Sequence, residues 1–169
     1  MKKLLIASAI AASSAMSVTA FAASDGDVGG TSTGTLDIEV TVEDSVRISG
    51  LDDFTATFDG ANDVIHTDQA CIYRNGSDAY GVSATGDGAS NAFTIEDGPT
   101  IIDYAVSWNN TDITIPGALL SGQSGADDSS TTCSGGTNAT LVLTVAAADL
   151  LAAPASVLQG TLTVTVSPE

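Results

Sequence analysis

The sequence has 169 residues, with 21 acidic side chains against four basic ones and a formal net charge of −17. Nucleic acids and anionic lipid surfaces are bound through Lys and Arg that displace counterions, so this balance excludes both as partners. A chain of this length makes one domain, and with 43% hydrophobic residues it can bury a core.

The chain opens Met1-Lys2-Lys3, runs through small and apolar residues, and reaches the small-x-small triplet Ala20-Phe21-Ala22. This is the pattern of a secretory signal peptide, so residues 1–22 are expected to be removed and the exported part to begin near Ala23. Ser8, Ser13, Ser14 and Ser17 interrupt the apolar run, and no later segment approaches the roughly 20 apolar residues of a membrane span. Beyond residue 22 only Arg47 and Arg74 are basic apart from His66. The two cysteines, Cys71 and Cys133, would meet an oxidising compartment, where a single disulfide is the expectation.

Residues 23–34 are small, acidic and rich in Gly, Ser and Thr, which predicts a flexible leader. Leu36, Ile38, Val40 and Val42 then alternate with Asp37, Glu39 and Thr41, the period-two signature of a strand with one apolar face. Val46, Ile48 and Leu51 predict a second strand, and Phe54, Ala56 and Phe58 a third before the Asp59-Gly60 turn. Further strands are expected at 70–73, at Tyr80-Val82-Ala84, at 93–95, through Ile102-Tyr104-Val106-Trp108, and briefly at Ile113 and Ile115. Asn75-Gly76, Gly86-Asp87-Gly88 and Asp97-Gly98-Pro99 are turn signals between them. Residues 121–132 read as a mobile loop, Leu141, Leu143 and Val145 as a strand, and 146–153 as a short helix stopped by Pro154. The last strand carries Leu162, Val164 and Val166.

About eight short strands with frequent turns define an all-β protein, an immunoglobulin-like antiparallel β-sandwich, with a closed barrel as the alternative. Catalytic chemistry has little to stand on. The one histidine, His66, between Ile65 and Thr67 beside an expected turn, reads as a lone surface side chain. Gly30-Thr31-Ser32-Thr33-Gly34 matches G-x-S-x-G without the strand and helix that give that elbow meaning. Asp25-Gly26-Asp27, Asp52-Asp53 and Asp127-Asp128 offer oxygen ligands, yet none has an EF-hand or nonapeptide spacing. The expectation is a non-enzymatic protein with no cofactor and no metal site.

Three features together carry a family resemblance: the alternating strand after a flexible N-terminus, Cys71-Ile72-Tyr73-Arg74-Asn75-Gly76 followed by Tyr80-Gly81-Val82-Ser83-Ala84, and the ending from Gly160 to Glu169. The chain resembles the spore coat protein U-like group, which includes the subunits of archaic chaperone–usher pili. The resemblance implies a sandwich lacking its last strand, completed first by a periplasmic chaperone and then by the N-terminal strand of the next subunit. Residues 35–43 would be the donor strand, with Leu36, Ile38, Val40 and Val42 entering a neighbour's groove, and 44–169 the sandwich domain. It further implies an outer-membrane usher, other copies of the chain as partners, and a fimbrium on the bacterial surface serving adhesion or biofilm formation. Members of the group often carry a cysteine in the first core strand, where this chain has Ser45-Val46-Arg47-Ile48-Ser49. The competing expectation is a free secreted or periplasmic sandwich that binds carbohydrate or calcium, with Trp108 as the best aromatic platform, although a core anchor is the stronger expectation for that residue.

Overall fold

The computed structural model describes residues 23–169, so the signal-peptide expectation for 1–22 lies outside the described residues. The chain divides into one unit ending at Val42 and another running from Glu43 to Glu169. In the first, Ser24 and Thr35 form an antiparallel bridge with backbone N···O distances of 3.0 and 2.9 Å and hydroxyls 2.6 Å apart. The leader is therefore closed at its base instead of free along its length. Residues 36–42 carry no regular secondary structure.

The second unit contains β1 (Val46–Ser49), β2 (Val64–Arg74), β3 (Tyr80–Gly86), β4 (Thr94–Asp97), β5 (Thr100–Asp103), β6 (Ala105–Trp108), β7 (Thr111–Asp112), β8 (Leu120–Gln123), β9 (Ala139–Val145) and β10 (Leu162–Pro168). Among the described residues there is one α-helix, α1 (Ala147–Ala152), which precedes Pro154. The strands form a five-stranded sheet ordered β1-β2-β9-β6-β7, a three-stranded sheet ordered β10-β3-β8, and the β4-β5 hairpin. Every ladder is antiparallel. Ile72, Val106, Trp108 and Leu141 from the larger sheet and Tyr80, Val82 and Ala84 from the smaller one share one buried core. Both sheets end in open edges, so the fold is an antiparallel β-sandwich and not a closed barrel.

Alternation places the core where the sequence has it. Ile102, Tyr104, Val106 and Trp108 are all buried. They belong to two strands instead of one, because the chain leaves the β4-β5 hairpin at Tyr104 and continues into the larger sheet as β6. The expected strand at Phe54, Ala56 and Phe58 is absent, and the two-residue β7 lies ahead of Ile113 and Ile115. Residues 121–132, expected as a mobile loop, begin inside β8 and are held further along. Asp127 bridges Tyr73, Ala126 is buried, and Cys133 joins Cys71 of β2 in the expected disulfide with Cα atoms 5.8 Å apart. The Asn138 amide brackets Ile72 by accepting from its N–H and donating to its carbonyl, each at 2.8 Å.

Candidate functional site

Two of the outer strands, β1 and β10, have apolar faces that are only partly covered. β1 pairs only with β2, from Val46↔Arg74 to Ser49↔Cys71, and β10 only with β3, from Leu162↔Gly86 to Pro168↔Tyr80. Their inward side chains, Val46, Ile48, Leu162, Val164 and Val166, touch the core but remain partly exposed, whereas Ile72, Val82 and Val106 in the strands between are fully buried. β1 and β10 come within 8 Å of each other at Cα yet share no ladder. Two strand spacings amount to about 9.6 Å, so a strand laid between them has to part them at these points.

Residues 35–43 present the complementary feature. Leu36, Ile38, Val40 and Val42 are 68%, 80%, 78% and 79% exposed, and no ladder takes up the backbone of this segment beyond Thr35. An alternating strand left this bare in water exposes both unpaired amides and an apolar face.

The arm is anchored immediately after it ends. Arg74, at the end of β2, is buried, and its guanidinium holds Asp44 in a fork, Nε to Oδ1 at 3.1 Å and Nη2 to Oδ2 at 2.7 Å, while Nη1 donates to the Ala79 carbonyl. Next to it the Asn75 side chain accepts from Ser45 N–H and donates to the Glu43 carbonyl, both at 2.7 Å. The hydrogen bonds from Arg74 hold the Asp44 carboxyl below the usual carboxylate range, and Asp44 in turn raises the Arg74 guanidinium. Sequence reading missed this clasp. Its one visible signal is the scarcity of cations, since an Arg kept beside Asn-Gly in so acidic a chain has work to do there.

The residues that could support other functions are placed differently. Trp108 is completely buried and donates from Nε1 to the Tyr80 hydroxyl at 3.1 Å, so it offers no face to a sugar. His66 lies in β2, stacked on Phe54 with ring centroids 4.4 Å apart. Its Nε2 is buried without a hydrogen-bond partner among the described residues, 3.9 Å from Asp68 Oδ2. Ser32 sits exposed beyond a bend in the N-terminal unit, with no strand or helix beside it. Among the described residues no three His, Cys, Asp or Glu side chains gather where they could hold a metal ion. Asp127 spends its Oδ1 on Ser129 and Ser130 in a local turn. A depression of about 240 Å³ lies along Phe54, Asp59, Asn62 and Ile65 and is smaller than the roughly 300–1,000 Å³ of small-molecule sites. No helix among the described residues is long and apolar enough to cross a membrane. Compared with known proteins, the chain matches no family model, no curated protein and no solved structure.

Proposed function

We propose that this protein is a secreted structural subunit of a surface pilus or fimbria, assembled by donor-strand complementation in the manner of the spore coat protein U-like group it resembles. The observation that carries the reading is the bare apolar face of Leu36, Ile38, Val40 and Val42. Moving each such side chain from water into a groove is worth about 1.5–3 kcal/mol before the cost of ordering the strand. The half-covered side chains of β1 and β10 supply apolar surface of the right chemistry once the two strands part, and strand addition satisfies backbone amides while alternate side chains fill pockets. Length agrees as well. The eight residues from Leu36 to Glu43 reach about 27 Å when extended, against about 23 Å for the seven residues of β10. In this reading the donor is the arm of a second copy or a related pilin. A periplasmic chaperone covers the groove beforehand, an outer-membrane usher exports the growing fibre, and the fibre serves adhesion or biofilm formation.

The test is a denaturing gel of the exported protein, run with and without boiling. The expected result is a ladder of multimers that collapses to one band only on heating, because strand-complemented contacts come apart slowly. Replacing Leu36, Ile38, Val40 and Val42 together by Ser is expected to remove the ladder. A single monomer band from the unaltered protein under both conditions overturns the reading.

A further inference from the structure

Of the two basic residues beyond residue 22, Arg74 is committed to Asp44. Arg47 is exposed at the second position of β1 and forms no ion pair among the described residues. Of the other outer strands, all but β10 are guarded by acids. The β4-β5 hairpin carries Glu96, Asp97 and Asp103, and β7 carries Asp112. At β8 the Glu169 carboxylate accepts from Gly122 N–H at 2.7 Å. β10 has no charged side chain, and its outward face is Thr163 and Thr165. The arm is itself acidic on the face opposite its apolar residues, at Asp37, Glu39 and Glu43.

We propose that Arg47 is the docking cation for the arm of a second copy, pairing with that arm's Asp37 or Glu39 and so selecting the β1 edge over the acid-guarded edges of the sandwich. The inference rests on the strand-donation reading above and adds to it the determinant of where the strand lands. Val46 and Ile48 point inward, so Arg47 points outward. A strand that pairs along the free edge of β1 with its apolar residues inward has to turn its acids to that same outer side. Side chains directly opposite across a ladder lie about 4.5–5.5 Å apart and diagonal ones about 7–8 Å, within the reach of an arginine. At acid-guarded edges the same face of the arm meets like charge, which disfavours pairing there. An exposed pair of this kind acts on the rate and the choice of docking, and salt screens it.

The experiment measures the fraction of the exported full chain that runs as a heat-sensitive ladder. Arg47→Glu is expected to lower that fraction about tenfold in low salt, with the deficit narrowing in high salt. Arg47→Lys keeps most of the ladder. Arg47→Glu combined with Asp37→Arg or with Glu39→Arg restores it. The Cys71–Cys133 bond, followed by mobility on non-reducing gels, shows that each variant is folded. A normal ladder from Arg47→Glu, beside a lost ladder from the four-serine arm variant, overturns the role of Arg47 and leaves the pilus reading standing. Loss that neither charge reversal restores also overturns it. Normal ladders from both Arg47→Glu and the arm variant overturn the two together.

Discussion

The Trp108 indole donates to the Tyr80 hydroxyl across the interior of the sandwich, joining β6 of one sheet to β3 of the other at 3.1 Å with both residues fully buried. The Asn109 amide approaches the same hydroxyl at 3.4 Å. Tyr80→Phe keeps the ring and strands the indole N–H, and it is expected to cost about 1–3 kcal/mol in urea unfolding. Trp108→Ala removes a whole core side chain and is expected to cost about 3–5 kcal/mol. Equal stability of Tyr80→Phe and the parent chain would show that this bond contributes nothing.

The clasp at the root of the arm has an acid-side signature. Because Arg74 depresses the Asp44 carboxyl, the contribution of this pair is complete above the ordinary carboxylate range and disappears as pH falls through the lowered value. Asp44→Asn is therefore expected to lower the melting temperature at neutral pH and to lose less stability than the parent chain on acidification. Arg74→Lys keeps the charge but not the fork, and is expected to fall between the two.

At alkaline pH the relevant group is Tyr104. Burial raises its phenol to about 12, with the charge of Asp87 adding to the effect. The folded state holds this proton after the unfolded chain releases it near 10, so stability contributed by neutral Tyr104 is present below that pH and is lost as pH rises toward 12. Tyr104→Phe is expected to flatten the alkaline arm of the stability curve. An unchanged alkaline loss in that variant counts against the assignment.

The disulfide closes a loop across 62 residues, which in the chain-entropy account amounts to about 4 kcal/mol. Cys133 adopts a left-handed backbone conformation, φ 47°, that a non-glycine residue seldom takes without being held. Reduction is expected to lower the urea midpoint by an amount matching that figure and to raise proteolytic cutting between Ser124 and Cys133 before the core strands are cut. Reduction without a change in either measurement would sink this account.

Much of the sandwich was legible because burial follows alternation, as the run from Ile102 to Trp108 shows even where one alternating stretch serves two sheets. β2 was read too short. Its inner face includes His66 and Asp68, and Asp68 is buried with its carboxylate taking the N–H groups of Asp52 and Gln69, so polar residues interrupt the apolar period inside a continuous strand. Phe54, Ala56 and Phe58, which follow Asp52, alternate but join no ladder. The N–H of Asp52 is spent on a side chain of β2 and not on its backbone. The alternation of residues 36–42 was visible as a pattern, but the anchor that follows it was not, since pairing between Asp44 and Arg74 depends on the path of the chain across 30 residues.

The half-covered side chains of β1 and β10 bear on what a melting temperature of this protein means. Any strand that binds there binds the native state and not the unfolded one, so it raises apparent stability by mass action, by about 1.4 kcal/mol for each tenfold increase in donor above its dissociation constant. Where that donor is another copy of the chain, stability belongs to the population, and a melting curve is interpretable only beside the protein concentration at which it was recorded.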